Sequence, residues 1–141
     1  MGIDVGSVRV GVALSDPYGL FASPLTTLTR DPGAADQRAI ADLVREHDVI
    51  EVVVGLPLHL SGAQGAAADE ATAYSVGVAA LIEPVPVRLV DERLSTRAAS
   101  ARLAAQGLDS RRQRGVVDQT AAAIILQAWL DQRSSGGRGC V

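Results

Sequence analysis

The spacing of apolar residues is typical of strands in the first 30 residues and alternates between helix and strand patterns after them, which limits the folds that the chain can adopt. Residues 2–6 form a short apolar run, residues 9–16 alternate between apolar and polar side chains, and residues 22–30 are rich in Thr and Leu. These patterns are typical of β-strands. Turn signals stand at residues 6–7 and 31–33, so the first two strands are predicted to form a hairpin and the third to end at the second turn.

Helices and buried strands alternate after the third strand. The predicted helices lie around residues 39–44, at the Ala-rich residues 66–82, from Ser95 or Thr96 to Gly107 and at residues 116–132, and the predicted buried strands are residues 49–54 and 86–90. This order predicts an α/β fold with a mixed five-stranded sheet. Three antiparallel strands come first, β–α units follow, and the helices pack on the sheet.

Length and composition favour one globular domain. The chain has 141 residues, of which 48% are apolar and 21% charged, and this excludes a disordered chain. Residues 1–133 are predicted to form a single domain and the Gly- and Ser-rich residues 134–141 a disordered tail. The single cysteine, Cys140, provides no disulfide framework. Without a signal peptide or an apolar run of about 18 residues, we expect a soluble protein of a reducing compartment.

The charges are distributed unevenly. The net charge is −3, and all 13 basic residues are Arg. The window from Arg88 to Arg114 contains seven Arg against three acids, which gives it +4 and leaves −7 for the rest of the chain. A general preference for Arg over Lys explains the total but does not explain the clustering. The window is therefore a candidate phosphate-binding patch.

Acidic residues stand inside or at the ends of otherwise apolar elements. In the first strand, period 2 puts Asp4 on one face with only Gly2 and Gly6 beside it, which leaves space for a metal ion or a substrate backbone. The alternative is a solvent-facing acid on an edge strand. Asp91 and Glu92 end a buried strand, where α/β sheets bind ligands, and pleat parity lets only one of them face the Asp4 side. Helix capping or pairing with a nearby Arg is the alternative for either.

The last helix begins with a further acid. Asp118 shares its face with an apolar stripe, although an acid near a helix N-terminus is also favoured by the helix dipole alone. Three carboxylates from two strands and a helix, without His or Cys, select Mg²⁺ or Mn²⁺. Such ions activate water and stabilise the leaving oxygen in phosphodiester hydrolysis. The residues thus favour a metal-dependent nuclease.

Four blocks of the sequence, in order, resemble the YqgF family. They are Gly-Ile-Asp-Val-Gly-Ser-Val-Arg-Val-Gly-Val-Ala at 2–13 with Ser15 and Asp16, Gly-Leu-Pro-Leu at 55–58 with Gly62 and Gly65, Asp-Glu-Arg-Leu-Ser-Thr at 91–96, and Asp-Gln-Thr-Ala-Ala at 118–122 leading to Ile125 and Leu126. Members of that family are RNase H-like proteins described as pre-16S rRNA nucleases or Holliday junction resolvase-like proteins. The resemblance extends over residues 2–132.

The resemblance implies an RNase H-like fold with the first strand central and the third at an edge. It also implies a cytoplasmic bacterial protein that matures the 5′ end of 16S rRNA within the pre-ribosomal particle. The motif positions imply that Asp4, Glu92 and Asp118 are the catalytic, metal-binding acids. Phosphate contacts are assigned to residues in or beside the same blocks: Arg9, Arg93, Ser95, Thr96 and Arg97.

This chain departs from the family pattern at three places. Family members usually have several apolar residues before the Gly-Ile-Asp stretch, so either the true start lies upstream or the central strand is short. Val8 stands where Lys is common, which removes one phosphate contact beside Arg9. His59 takes a position often held by Asn and is interpreted as a loop residue rather than a metal ligand.

Other functions remain as alternatives at the level of sequence. The first glycine-rich stretch is similar to a phosphate loop of sugar kinases and actin-like ATPases, but those proteins need two domains to enclose ATP. A non-catalytic RNA-binding ribosome-assembly factor agrees with the acidic charge and with the few aromatic residues, which are Tyr18, Phe21, Tyr74 and Trp129. A DNA endonuclease for branched DNA uses the same acids. The sequence leaves the choice between monomer and homodimer open.

Overall fold

Five strands form one mixed sheet in this computed structural model, which describes residues 1–58, 61–62, 64–92 and 114–139. The strands are β1 (Gly2–Val5), β2 (Arg9–Ser15), β3 (Ala22–Thr29), β4 (Val52–Leu56) and β5 (Val87–Asp91). Their order across the sheet is β3-β2-β1-β4-β5. The pairs β1–β2 and β2–β3 are antiparallel, and β1–β4 and β4–β5 are parallel. The predicted α/β class, the central first strand and the edge position of the third strand are confirmed.

Three helices pack on this sheet. They are α1 (Ala35–Glu46), α2 (Ala66–Ile82) and α3 (Arg114–Gly139). The bounds of α2 agree with the prediction, whereas α3 extends beyond the predicted 116–132 at both ends. The helix predicted between Ser95 and Gly107 lies outside the described residues. The domain boundary at residue 133 stays a prediction.

Strand β4 begins later than the sequence predicts. The apolar run starts at Val49, but the N–H of Val49 donates to the carbonyl of Val44 at 3.0 Å and so still belongs to the end of α1. Asp48 has a φ of 51°, which reverses the chain after the helix. Ile50 is 80% exposed, and the strand pairing begins only at Val52. The turn that ends α1 therefore takes the first part of the run.

The sheet separates two apolar layers. On one face, Ile3, Val12 and Val54 are fully buried under α1 and α2. On the other face, strand residues such as Ala13 and Val53 pack against α3. The alternation of side chains along β1 assigns Ile3 to the first layer and leaves Gly2 and Asp4 on the α3 face. Within the described ranges, no helix has the length and apolar character needed to cross a membrane.

Candidate functional site

Asp4 lies on the α3 face of the central strand, between two glycines. Its partner across the β1–β2 ladder is Gly11. On the other side, the parallel register Ile3↔Val54 brings Gly55 next to it. Since paired residues point to the same face of a sheet, Asp4 has glycines on both neighbouring strands. No side chain on these two positions separates Asp4 from the segments that pass over them, which are α3 and the residue after β5.

Glu92 reaches Asp4 from the end of β5. Its backbone N–H donates to the carbonyl of Leu56 at 3.1 Å and continues the pairing with β4. A Cβ on Gly55 would lie 2.8 Å from Glu92 Oε1 and 2.7 Å from Ile125 Cδ1, so the glycine leaves room for both side chains. The Glu92 carboxyl donates a hydrogen bond to the Asp4 carboxylate. Of the two acids at the end of the strand, Glu92 is the one that contacts Asp4.

Burial and proximity change the acidity of both carboxyl groups. Burial raises the pKa of Glu92 to about 8, together with the hydrogen bond to Asp4 and the charges of Asp4 and Asp91. The pKa of Asp4 is raised by burial and by the charge of Asp118, although the hydrogen bond from Glu92 opposes this. The two carboxyl groups therefore share a proton at neutral pH. Without a bound cation, two full negative charges on these buried carboxyl groups would therefore be unfavourable.

Asp118 is brought over the sheet by the close crossing of α3 and β2. A Cβ built on Gly11 would lie 1.9 Å from the carbonyl oxygen of Asp118, so the helix backbone passes directly above this glycine. The Asp118 carboxylate accepts a charge-assisted hydrogen bond from Arg9, with 2.9 Å between Nε and Oδ2. The structure thus groups the three predicted acids on one face, as a hydrogen-bonded pair and an ion-paired neighbour.

The donor set fits a hard divalent cation. All three groups are carboxylates, and Mg²⁺ and Mn²⁺ prefer oxygen ligands. A dication relieves the repulsion that keeps a proton between Asp4 and Glu92. In their present arrangement, no three Asp, Glu, His or Cys side chains within the described ranges are grouped closely enough to hold an ion. One carboxylate, that of Asp118, is engaged by Arg9 instead.

Several predicted contact residues lie outside the described part of the chain. These are Arg93, Ser95, Thr96 and Arg97, whose assigned roles stay predictions. His59, interpreted as a loop residue, also lies outside the described residues. Arg9 is described, and it pairs with Asp118 rather than projecting into solvent. Its role in phosphate binding also stays a prediction.

Sequence reasoning missed the two glycines that flank Asp4 on the neighbouring strands. Gly11 interrupts an alternating strand and Gly55 ends an apolar run, and isolated glycines in strands often mark a close approach of another chain segment. That signal was available. The sequence pattern does not show which segments approach these glycines. They are α3 at Gly11, and Glu92 together with α3 at Gly55.

This mixed sheet with its packed helices has the fold of the RNase H-like class, which contains nucleases. The model of the family described as "RuvX: Holliday junction resolvase" matches residues 1–132. The chain belongs to this family.

Relatives from three actinobacteria carry the name "Putative pre-16S rRNA nuclease". The Rhodococcus opacus protein is 50% identical over 138 residues, which cover 95% of this chain and 78% of the relative. The Mycobacteroides abscessus protein is 49% identical over 138 residues, with 97% and 83% covered. The Mycobacterium leprae protein is 52% identical over 132 residues, with 94% and 72% covered.

Proposed function

We propose that this protein is a divalent-metal-dependent nuclease that processes the 5′ end of pre-16S rRNA, with Asp4, Glu92 and Asp118 as its metal-binding acids. The observation that carries the proposal is the contact between Asp4 and Glu92 beside Gly55. Asp118 lies close enough for its charge to raise the pKa of Asp4. The names of the relatives support an rRNA substrate.

The three acids would hold Mg²⁺ or Mn²⁺. When bound, such an ion stabilises charge on a phosphodiester and lowers the pKa of a coordinated water. In the hydrolysis, a water oxygen attacks phosphorus, the bond from phosphorus to the leaving oxygen breaks, and that oxygen takes up a proton. Because Gly11 and Gly55 have no side chains, the helix backbone at Asp118 and the Glu92 side chain can both come close to Asp4.

Arginines and hydroxyl groups beside the acids would bind the substrate backbone. The residues proposed for these contacts are Arg9, Arg93, Ser95, Thr96 and Arg97. A guanidinium donates two parallel hydrogen bonds to a phosphate, which fixes its orientation as well as neutralising its charge. Residues 1–133 would form the nuclease domain, which would act on pre-ribosomal particles in the cytoplasm.

Asp4→Asn is the decisive variant. It keeps the shape of the side chain and removes its charge, so we expect cleavage of a labelled pre-16S rRNA in Mn²⁺ to fall at least about 100-fold. Asp42→Asn is the matched control, because Asp42 is an exposed acid that pairs with Arg45 on α1. Circular dichroism checks that both variants are folded. Cleavage by Asp4→Asn at the wild-type rate contradicts the three-acid site.

A four-way DNA junction belongs in the same assay, because the family model is described as a Holliday junction resolvase. Cleavage of the RNA alone supports the proposed substrate. Cleavage of the junction alone moves the function to DNA. Binding of the RNA without cleavage of either substrate favours a non-catalytic assembly factor.

A further inference from the structure

We propose that Arg9 and a divalent cation compete for Asp118, so that metal binding releases the Arg9 guanidinium to contact a substrate phosphate. The inference rests on the metal site of the proposed function and adds a coupling between that site and substrate binding. It gives Arg9 two successive partners. The first is an acid of the chain, and the second is a phosphate of the nucleic acid.

The first observation is the ion pair itself. Arg9 Nε donates to Asp118 Oδ2 at 2.9 Å, and the two side chains are 34% and 25% exposed. In the part of the chain that the structure describes, Asp118 is the only side chain that Arg9 pairs with. The guanidinium has five N–H donors, and one of them makes this bond. Arg9 therefore keeps donors that suit a second anionic group.

The second observation is where the pair stands. Arg9 and Gly11 point to the same face of β2, and Gly11 is the direct partner of Asp4. Arg9 thus lies on the same face of the sheet as Asp4, two residues along β2 from its direct partner. The backbone of Asp118 is held above Gly11, since its carbonyl oxygen lies in contact with that glycine. With the backbone fixed, rotation of its side chain is the simplest way for Asp118 to exchange partners.

The third observation is that Asp118 is not grouped with Asp4 and Glu92 as a ligand set. No such group of three occurs among the described residues. To join the other two acids around one ion, the Asp118 carboxylate has to turn away from Arg9. A dication next to the guanidinium also repels it, and this repulsion is strong in a partly buried site. Because of both effects, the Asp118 carboxylate binds either the ion or Arg9, and not both at once.

Release of Arg9 places a free cation at the rim of the site at the moment when the metal is bound. A phosphate attracts that cation, and a bidentate guanidinium–phosphate contact is stronger than a neutral hydrogen bond. Metal and nucleic acid would then bind cooperatively through Arg9. By linkage, the nucleic acid would raise the affinity for the metal by the same factor.

Calorimetric titration with Mn²⁺ tests the competition directly. A charge-assisted hydrogen bond no longer has to be broken in Arg9→Gln, so this variant is expected to bind Mn²⁺ at least about tenfold more tightly than the wild type. Arg30→Gln is the matched control. It removes the same charge just after the end of β3, where Arg30 pairs with Glu70 and donates to the carbonyl of Gly6. Arg9→Lys keeps the charge and is expected to stay near the wild type.

The salt dependence of RNA binding tests the release. In the wild type, replacing EDTA by Ca²⁺ should steepen the slope of log K against log salt by about 0.7 to 0.9, as one more phosphate contact requires. In Arg9→Gln this change should be absent. Thermal melts establish that each variant is folded. If Arg9→Gln is not, the wild type alone decides, since an unchanged salt slope between EDTA and Ca²⁺ contradicts the release of Arg9.

The outcomes separate the inference from the proposed function. If the wild type binds Mn²⁺ and Arg9→Gln binds it equally or more weakly, Arg9 orients Asp118 and the competition is wrong, whereas the metal site stands. If Arg30→Gln gains as much affinity as Arg9→Gln, the effect is one of general charge and the competition is again wrong. If the wild type binds no Mn²⁺, the proposed metal site fails and the inference fails with it.

Discussion

At the scale of single residues, the site depends on two positions where the chain has no side chain. Gly11 and Gly55 stand on either side of Asp4, and each is in contact with another part of the site. At Gly11 the neighbour is the helix backbone that carries Asp118, and at Gly55 it is the side chain of Glu92. The glycines set how closely the acids approach one another. They are as much part of the site as the carboxylates.

Gly11→Ala should therefore disturb both stability and metal binding. Its Cβ would lie 1.9 Å from the Asp118 carbonyl oxygen, and backbone cannot move aside as a flexible side chain can. We expect the free energy of unfolding to fall by about 1–3 kcal/mol or more and Mn²⁺ binding to weaken. Denaturant unfolding and calorimetry measure the two effects.

Gly77→Ala serves as the control for this substitution. A Cβ on Gly77 of α2 would meet the end of the Gln37 side chain, which can rotate away, and Ala is the better residue in a helix. This variant should lose little stability and no metal affinity. Equal losses in the two variants would contradict the role given to Gly11.

The shared proton makes the metal-free protein sensitive to pH. Because the pKa of Glu92 is about 8 when folded and about 4.5 when unfolded, the folded state holds the extra proton in between, and the free energy of unfolding decreases as the pH rises through this interval. Glu92→Gln cannot titrate. In EDTA it should melt at a higher temperature than the wild type at about pH 8, and this difference should shrink towards about pH 5.

Thermal melts between about pH 5 and about pH 8 test this prediction. Glu46→Gln, an exposed acid of α1, should keep the pH dependence of the wild type. Parallel curves for Glu92→Gln and the wild type would mean that the pKa of Glu92 is not raised in the folded protein.

At the scale of elements, local patterns predicted most of the structure. The hairpin of β1 and β2 and the bounds of α2 follow from apolar spacing and turn residues. The run at residues 49–54 was predicted less well, because apolar residues alone do not show where a helix ends and a strand begins. The left-handed conformation of Asp48, which ends α1, decides that boundary. It depends on the packing of α1 rather than on the run itself.

The last helix shows what periodicity can and cannot predict about the site. Asp118 heads a stripe whose members Ala122 and Ile125 are buried against the sheet, so the helical face predicted for this acid is correct. Near the other end of the helix, Trp129 Nε1 donates to Glu51, which anchors the helix beside β4. The crossing of this helix above Gly11 is a contact between distant parts of the chain. No local pattern contains it.

At the scale of the whole molecule, the sheet separates the apolar layer under α1 and α2 from the acids of the candidate site. The layer under α1 and α2 is apolar apart from a few paired groups, among them Tyr74, which donates to Asp36 at 2.8 Å. The acids lie on the opposite face, where the Asp4–Glu92 pair is formed at a cost in free energy. A site that is destabilised in this way needs a second layer that is well packed. Neutralising an acid of this pair should therefore raise the free energy of unfolding at about pH 8, whereas removing a paired group from the layer under α1 and α2 should lower it.

Tyr74→Phe tests this separation. It removes one donor from the buried Asp36 carboxylate and keeps the ring that lies 5.5 Å from the Arg30 guanidinium. We expect the free energy of unfolding to fall by about 1–3 kcal/mol, while Mn²⁺ affinity and the cleavage rate of the folded protein stay at wild-type values. Tyr18→Phe, at an 86% exposed position, controls for the loss of a hydroxyl and should change neither property. Loss of metal affinity in Tyr74→Phe would show that the two faces of the sheet are coupled, since Tyr74 contacts none of the three acids.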